Sequence, residues 1–512
     1  MPTSMIQSRI HRHHWTAILL GAGATIVSLL GSWIPSLWGD EAATALSAQR
    51  PLGTLFSMLA NVDAVHGTFY FAMHFWVMLF GASPFSLRFP SAVAVGFAVA
   101  AVYLLCRRLT TQRTAVAAAI IFAVLPRTTY MGEEARSFAL SAAIAAWSTL
   151  VLIMLMQQRE HRRGLRIAYA VLIAVGTYFF LYVALFALVH LAILLSSRRA
   201  LAADPKFFRH WIVSVTAGLV ATVPLILVAI GERRQISYLA VKPQFGFETL
   251  TVSLWFGDVA FAILAWAILL AGLVLLLVHI IRRKPWATRG DAVGPDTALV
   301  GPRLEVVGAA WLLIPAGALM AVSVIYPIFT ARYLSYCAPA AAILLAAVLH
   351  RITAGRLVPL MLAVSVVVAM AVPGYLGQRG PYSKNDSDWA AISATMAGSA
   401  HAGDAVVFDE TASPSRRPRL AMRTYPAGFE GVKDVALKTP YYRSDTWYDR
   451  AYTVDEALSR GRFDGITVVW LIEYVSGGRT DTYGMASLQA AGFQVVSERA
   501  EHSSVIYTLV RK

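Results

Sequence analysis

The sequence predicts an α-helical polytopic membrane protein with a small α/β domain at its C-terminal end. Hydrophobic residues make up 57% of the 512 residues and charged residues 14%, whereas about 25% of a typical soluble protein is charged. A mean hydropathy of +0.59 leaves too few polar residues to cover several soluble domains. Apolar runs such as residues 260–281 are long enough to cross a bilayer. From residue 377 onward the sequence becomes mixed-polar.

The net charge and the two cysteines limit the classes of function that the chain can have. The chain has 44 Lys and Arg against 29 Asp and Glu, a net charge of +15. In a membrane protein the positive-inside rule and contact with anionic lipid explain such a surplus. No basic stretch is interleaved with aromatic residues as a nucleic-acid groove requires. Cys106 and Cys337 lie in apolar segments and form no CxxC, zinc or disulfide pattern. We therefore expect the bilayer, and no nucleic acid, as a partner.

About eleven transmembrane helices are predicted. The first, over residues 15–37, follows a basic segment and lacks a small-residue cleavage site, which predicts an uncleaved helix with a cytoplasmic N terminus. The other ten cover residues 88–106, 114–128, 138–156, 167–181, 183–197, 210–230, 251–281, 306–325, 334–350 and 357–374.

One apolar stretch, residues 68–80, is too short for an ordinary span. If it does not cross, the basic loops at 107–113, 157–166, 196–210, 281–290 and 350–356 all face the cytoplasm. If it crosses, all five move outside. The positive-inside rule therefore favours an interfacial helix on the outer face. This topology leaves an outer loop over 38–87 and predicts a multi-pass protein of the cell membrane whose C-terminal domain is extracytoplasmic.

The predicted domain boundary separates a transmembrane module, 1–375, from an extracytoplasmic α/β domain, 376–512. Within the second part, strand-like runs alternate with stretches of helical pattern. The predicted strands cover 404–409, 466–472, 493–498 and 504–510, and the predicted helices cover 386–399, 453–461 and 484–491. Matching broken helices in two halves, which an inverted-repeat transporter would show, are not found.

Asp40 and Glu41 directly follow the first predicted helix. A carboxylate at the membrane edge among aromatic residues is expected to be partly desolvated and able to act as a general base. The alternative is an acidic pair that caps a helix or lies at headgroup level. Further along the same loop come Asp63, His66 and Tyr70. The spacing of Asp63 and His66 would let them share a ligand or a metal, or they serve as a helix cap and an interface residue.

Two further outer segments carry charges. Glu133, Glu134 and Arg136 lie at the outer end of the third span, where charged residues beside a membrane are usually paired and functional; a soluble protein would use them as a surface ion pair. Arg332 and Tyr333 precede the tenth span, and Lys242 lies in another outer loop. The planar guanidinium group of arginine can donate two parallel hydrogen bonds to phosphate oxygens. We therefore expect these loops together to bind an anionic, lipid-linked substrate.

These segments resemble motifs of the GT-C membrane glycosyltransferases, in particular glycosyltransferase family 39, the dolichyl-phosphate-mannose transferases and the bacterial aminoarabinose transferases. WGDEA follows the first helix, and the stretch from His66 resembles the family's HPPLYY…LFG…E-x-x-x-R-x-P-S-A, with Gly67-Thr68 in place of the two prolines. YMGEEARSFAL and ARYLSYCAPAAAILLA resemble two further motifs, in the family's order. The likeness covers roughly residues 15–375.

The resemblance implies an enzyme that uses a polyprenyl-phosphate sugar. By that resemblance Asp40 is the general base and Glu41 assists it. Arg136 and Arg332 hold the donor phosphate, with Tyr333 and Lys242 nearby. Asp63, His66, Tyr70, Glu133 and Glu134 bind or orient the substrate. The C-terminal domain resembles those of many actinobacterial members and implies a cell-envelope acceptor. Mannose and arabinofuranose are the sugars we favour.

No nucleotide-binding motif is found in the sequence, and a D-x-D-like pair is missing from the outer loops between the predicted spans, so we expect metal independence and no cofactor. The main alternative is a transporter or flippase of lipid-linked sugars, which would need ionisable groups at mid-membrane. The predicted spans are nearly free of charge, and this favours the enzyme. A non-catalytic envelope scaffold is a third possibility, and it would tolerate the loss of Asp40, Arg136 and Arg332.

Overall fold

A computed structural model describes residues 3–157, 162–197, 204–235, 239, 245–281, 301–475, 478 and 480–512. The chain forms two compact units, each built from two separate segments. The first unit comprises Met1–Leu30 and Arg88–Leu376, and the second comprises Gly31–Leu87 and Gly377–Lys512. The sequence analysis places residues 31–87 with the transmembrane module, whereas in the structure they cluster with the C-terminal residues.

The described part of the first unit is built from helices. Its α-helices are Thr3–Leu29, Pro84–Leu109, Gln112–Val124, Pro126–Gly132, Phe138–Gln157, Arg162–Phe179, Phe186–Ser196, Pro205–Val220, Val223–Gly231, Val259–Ile281, Leu304–Ser323, Ala338–Ile352 and Leu357–Gln378. Two 3-10 helices, Leu181–Leu185 and Ala331–Cys337, and one π-helix, Thr249–Ser253, complete it.

Each of the eleven predicted spans coincides with one of these helices or with a consecutive pair. By length and composition, six helices among the described residues are able to cross a membrane, or up to eight if each of two bent pairs is one span. The chain is therefore mostly helical with six to eight candidate spans. Crossing by all eleven stays a prediction.

Two predicted spans are bent. Gln112–Val124 meets Pro126–Gly132 at 60°, and Lys206–Val220 meets Val223–Gly231 at 45°. In each pair a proline stands in the first turn of the second helix. Because proline has no backbone N–H and clashes with the preceding turn, it starts a helix readily but does not continue one. The apolar pattern of both stretches is continuous, and therefore it predicted one straight helix.

The helices of the first unit differ in how far they are enclosed. The most apolar stretches of Phe138–Gln157 and Ala331–Ile352 are 78% buried, and those of Val259–Ile281 and Leu357–Gln378 only 22%. Alanine is frequent in the enclosed helices, and small residues allow transmembrane helices to approach closely. The exposed apolar surface of the other two fits contact with lipid, because in water so large a patch would favour aggregation.

The second unit contains all seven strands of the described chain and seven short α-helices. The strands are β1 (Ala405–Phe408), β2 (Lys433–Asp434), β3 (Leu437–Thr439), β4 (Arg450–Ala451), β5 (Val468–Tyr474), β6 (Phe493–Ala500) and β7 (Ser504–Arg511). The helices are Gly39–Ala48, Leu52–Leu59, Gly67–Phe80, Trp389–Ser399, Arg419–Thr424, Val454–Ser459 and Met485–Ala490. All four predicted strands and all three predicted helices of the C-terminal part are present, which confirms a strand-containing domain there.

Five strands form a mixed sheet in the order β2-β1-β5-β7-β6, and β3 pairs with β4 separately. β1 runs parallel to both β2 and β5, whereas β7 is antiparallel to β5 and β6. Val407, Val469 and Leu471 contribute to a core on one face of the sheet. The carboxyl ends of the parallel strands β1 and β5 therefore lie side by side at one edge.

The two segments of the second unit are joined by buried polar contacts. The backbone N–H of Leu37 donates to the hydroxyl of Tyr425 at 2.8 Å. Arg50, fully buried, donates to the carbonyl oxygen of Ser444 at 2.9 Å and to that of Thr446. Burial lowers the pKa of Arg50 to about 10. A buried guanidinium is stable only when it is hydrogen-bonded, so these carbonyls fix the first segment in place.

Candidate active site

Asp40 and Glu41 occupy the first turn of the helix Gly39–Ala48. Trp38, in extended conformation, precedes the helix, and its carbonyl accepts from the N–H of Ala42 at 2.8 Å. Negative charge is stabilised at this end of a helix by the macrodipole. Glu41 is fully buried and Asp40 is half-buried. The two carboxylates therefore differ in access, and only Asp40 keeps a partly exposed side chain that a substrate can reach.

Gly39 holds this helix end against the C-terminal domain. A Cβ atom on Gly39 would lie 2.5 Å from both the Cβ atom and the carbonyl oxygen of Ser415. Real Cβ atoms do not approach other atoms so closely, so only glycine fits without a shift of the backbone. The position of Asp40 is thus set by a contact with residues almost four hundred positions away in the chain.

Asp63, His66 and Tyr70 come together in the same unit. The hydroxyl of Tyr70 donates to Oδ2 of Asp63 at 3.2 Å, and the rings of His66 and Tyr70 lie 6.0 Å apart. Asp63 has a left-handed backbone, with φ of 61°, and its side chain does not cap the following 3-10 helix. Asp63 therefore precedes the 3-10 helix without capping it through its side chain, and its carboxylate accepts from the hydroxyl of Tyr70, seven residues further along the chain.

Glu133, Glu134 and Arg136 lie in the first unit, between the helices Pro126–Gly132 and Phe138–Gln157. Their exposed fractions are 0%, 2% and 7%. The carbonyl oxygen of Arg136 accepts from the hydroxyl of Ser91 at 3.3 Å. A surface ion pair is therefore not what these residues form. Charged groups are buried at a helix end only at considerable cost, which marks this segment as a candidate for function.

Arg332 and Tyr333 begin the 3-10 helix Ala331–Cys337, also in the first unit. The guanidinium of Arg332 lies 5.9 Å from the centre of the Tyr333 ring. Phe180 contacts the rings of both Tyr333 and Phe138, at 6.0 and 5.6 Å. Phe138 follows Arg136 by two residues, so one aromatic side chain joins the two predicted arginine segments.

The remaining predicted residue, Lys242, lies outside the described residues.

Two buried arginines of the first unit were not among the site residues predicted from the sequence. Arg88, with 0% exposure, lies in the first turn of Pro84–Leu109 and within a motif quoted above, so the sequence carried a signal for it. Arg127 is 8% exposed, and Glu134 exerts an attractive electrostatic effect on it. Nothing in the sequence around Arg127 marked it.

Comparisons with known proteins agree with this architecture. The family model described as dolichyl-phosphate-mannose-protein mannosyltransferase matches residues 68–229. The crystal structure of ArnT from Cupriavidus metallidurans bound to undecaprenyl phosphate superposes with a TM-score of 0.58 at 14% identity, covering 96% of this chain and 98% of that chain. The chain resembles the GT-C membrane glycosyltransferases. The resemblance predicted from the motifs is thereby confirmed.

The apo form of the same ArnT superposes equally well, with a TM-score of 0.58, 14% identity, and coverage of 96% of this chain and 97% of that chain. The oligosaccharyltransferase AglB from Archaeoglobus fulgidus, with an inhibitory peptide and a dolichol-phosphate, gives 0.46 and 11%, covering 90% and 69%. A search of curated proteins finds no match. The family match contains Glu133, Glu134 and Arg136 but neither Asp40 nor Arg332.

Within the described ranges, no group of three or more His, Cys, Asp or Glu side chains has the arrangement to hold a metal ion. Asp63 and His66, the pair whose spacing suggested a metal, belong to no such group among the described residues. What the site residues offer chemically is a carboxylate with partial access, two arginine segments and a Tyr–Asp–His cluster.

Proposed function

We propose that this protein transfers a sugar from a polyprenyl-phosphate donor to a hydroxyl of a cell-envelope glycan, lipid or protein. The observation that carries the proposal is the acidic first turn of Gly39–Ala48 in a chain that aligns with ArnT over nearly its whole length. That ArnT structure is bound to undecaprenyl phosphate, the lipid part of the proposed donor class.

Asp40 is proposed as the general base. In the reaction the bond between the anomeric carbon and the phosphate oxygen breaks, and a bond from that carbon to the acceptor oxygen forms. Asp40 accepts the proton of the acceptor hydroxyl as this bond develops, and we expect inversion at the anomeric carbon. Half-burial of Asp40 supports the role, because a base has to be both desolvated and accessible. Glu41 is fully buried, and its proposed role is to assist or orient Asp40.

Arg136 and Arg332 are proposed to bind the donor phosphate, with Tyr333 and Lys242 as neighbours. Negative charge accumulates on the phosphate as it leaves with the polyprenyl chain, and fixed guanidinium groups stabilise that charge. The burial of Arg136 supports the role, because electrostatic interactions are stronger away from water. Glu133 and Glu134 orient this segment, and Asp63, His66 and Tyr70 orient or bind the substrate. Mannose and arabinofuranose are the proposed sugars.

The test is transfer of label from a panel of radiolabelled polyprenyl-phosphate sugars into membrane lipids and glycans. Asp40→Asn is compared with Asp455→Asn, because Asp455 also lies in the first turn of a helix, Val454–Ser459, but is exposed. We expect one donor to label products, loss of about 10²-fold or more of the rate in Asp40→Asn, and wild-type transfer in Asp455→Asn. The same assay would name the sugar.

Two results would count against the proposal. Full activity in Asp40→Asn, Glu41→Gln and the double variant would remove the base assignment. No transfer from any donor by a folded protein that still binds polyprenyl phosphate would favour a lipid transporter.

We also propose that no divalent metal is required, so transfer should continue after treatment with a chelator.

A further inference from the structure

The second unit contains a cavity of about 510 Å³ at the edge of its sheet, within the range of about 300–1,000 Å³ typical of small-molecule sites. Its lining includes Asp409, Thr411, Ser413, Arg416, Tyr474 and Asp481; we call it the edge pocket. Asp409 directly follows β1 and Tyr474 ends β5. In open α/β sheets, ligands bind outside the carboxyl ends of parallel strands, which is where this cavity lies.

The polar groups of the edge pocket are held in place by one another. Oδ1 of Asp409 accepts from the backbone N–H of Thr411 at 2.7 Å. The hydroxyl of Thr411 lies within hydrogen-bonding distance of Asp409 and of Asp481. Nη1 of Arg416 donates to the hydroxyl of Tyr474 at 2.5 Å. Asp409 is 2% exposed, so its carboxylate is a fixed part of the wall rather than a mobile surface group.

The charge of the lining selects among ligands. Among the described residues that line it, Asp409 and Asp481 carry negative charge and Arg416 carries the one positive charge. Glu410, next in the chain, is neutralised elsewhere, by Arg417 at 2.7 Å and Arg419 at 2.6 Å. The lining is therefore net negative and repels phosphates and carboxylates. A neutral polyhydroxylated ligand fits better, because each hydroxyl can donate to a carboxylate or accept from the guanidinium.

Glu473 adds a second observation at the same place. It is fully buried, and it directly precedes Tyr474, which lines the edge pocket. Burial, together with the charges of Asp481 and Asp409, raises the pKa of Glu473 to about 7, although hydrogen bonds from Thr480 and Thr482 act in the opposite direction. A buried acid beside two carboxylates is costly for stability, and such a cost is typical of a binding site.

The edge pocket adjoins the predicted catalytic loop within the same unit. Arg416 and Tyr474 line both the edge pocket and a narrow crevice whose other walls include Trp38, Gly39 and Ser415. That crevice holds only about 10 Å³, too little for a sugar. The Arg416–Tyr474 pair therefore separates the edge pocket from the helix end that carries Asp40.

We infer that the edge pocket is an acceptor-binding subsite of the second unit and that it holds a neutral polyhydroxylated segment of the acceptor glycan. The inference rests on the proposed transferase function and assigns its acceptor a chemical class. It also gives the C-terminal domain a role in recognition.

The test uses full-length protein and three variants. Ser413→Trp fills the cavity from an exposed position, and Asp481→Asn keeps the shape of the side chain but removes its charge. Ser459→Trp, on an exposed helix end of the same unit, is the matched control. In the transfer assay we expect the acceptor KM to rise about tenfold in Asp481→Asn, the loss of one hydrogen bond to a charged group, and more in Ser413→Trp. The donor KM and the kcat at saturating acceptor should stay within about twofold.

Direct binding separates this inference from the proposed function. Wild-type protein is applied to an array of neutral oligosaccharides and their phosphorylated counterparts. We expect binding to neutral glycans that Ser413→Trp loses and Ser459→Trp keeps. If Asp40-dependent transfer occurs but neither lining variant changes the acceptor KM or glycan binding, the acceptor subsite is overturned and the transferase stands. Preference for the phosphorylated glycans, or binding of Ca²⁺ alone that Asp481→Asn abolishes, would also overturn it. Absence of all transfer would instead refute the function.

Discussion

The buried side chain of Glu473 is expected to make the stability of the second unit depend on pH. Its folded-state pKa, about 7, lies above the ordinary value of 4.5, because burial and two neighbouring carboxylates penalise the charged form. The folded state thus holds a proton that the unfolded chain releases above pH 4.5. The contribution of this group to stability is greatest at low pH and is lost as the pH rises through 7.

We therefore predict that Glu473→Gln removes a pH dependence. Between pH 5 and pH 8 the wild type should lose up to about 3 kcal/mol relative to this variant, which follows from about 1.36 kcal/mol per pKa unit. Thermal unfolding of the purified protein across this range measures the difference. Glu498→Gln, on an exposed position of β6, should follow the wild type. Parallel curves for all three proteins would show that Glu473 is not perturbed.

At the scale of residues, the predicted position of a charged side chain relative to the membrane indicated whether it belongs to the candidate site. The residue type did not indicate which partner that side chain binds. Asp40 and Glu41 stand at a helix start, as a charged pair after a hydrophobic run suggests. The bond from Tyr70 to Asp63 was not predicted, because a left-handed aspartate leaves no pattern in the sequence. The edge pocket was missed for a similar reason. Asp409 and Asp481 are 72 positions apart in the chain and meet only through the pairing of β1 with β5.

At the scale of elements, the helix Gly39–Ala48 is the one whose start most constrains function. We predict that Gly39→Ala lowers the transfer rate about tenfold or more and destabilises the second unit by about 1–3 kcal/mol, the usual cost of overpacking. The reason is the 2.5 Å approach to Ser415. Transfer and thermal unfolding are measured together.

Gly53→Ala is the control for that variant. Gly53 lies inside the helix Leu52–Leu59, and nothing stands within 4 Å of the place of its missing Cβ. Alanine there should be neutral or stabilise by about 0.5–1 kcal/mol, since glycine is a poor helix former. Equal behaviour of the two variants would mean that the contact with Ser415 does not position Asp40.

Long apolar segments were the most predictable elements, because eighteen or more hydrophobic residues permit few alternatives to a helix. Strands β1, β5, β6 and β7 were predicted from their β-branched runs. β2, β3 and β4 were not, since two or three residues are too few to show alternation. The bend before Pro126 also went unpredicted, although a proline there was the available signal.

At the scale of the whole molecule, the positive-inside rule predicts which side each loop occupies, and the two cysteines make a test simple. Cys106 and Cys337 are 0% and 1% exposed, so background labelling by a thiol reagent should be low. We predict that a membrane-impermeant maleimide labels Ser459→Cys on intact cells and labels Arg356→Cys only after permeabilisation. Both positions are exposed. The reverse pattern would invert the topology and place the proposed base on the cytoplasmic side.

The grouping of residues 31–87 with the C-terminal part was not predictable from the sequence. Arg50 shows why. Its partners are the backbone carbonyls of Ser444 and Thr446. Because every residue has a backbone carbonyl, no pattern of side chains in the sequence indicates these hydrogen bonds. An apolar run such as 68–80, by contrast, indicates a membrane even though its helix clusters in one unit with the mixed-polar C-terminal residues.

The two-segment construction of the second unit has a consequence for biosynthesis. Its first segment leaves the ribosome long before its partner, because all of residues 88–376 are made in between. At about 5–20 residues per second this interval lasts on the order of tens of seconds. During it the backbone N–H of Leu37 and the guanidinium of Arg50 lack the partners that Tyr425, Ser444 and Thr446 later provide. Newly made chains thus depend on protection of this segment until translation ends, and a premature stop before residue 377 leaves it permanently uncovered.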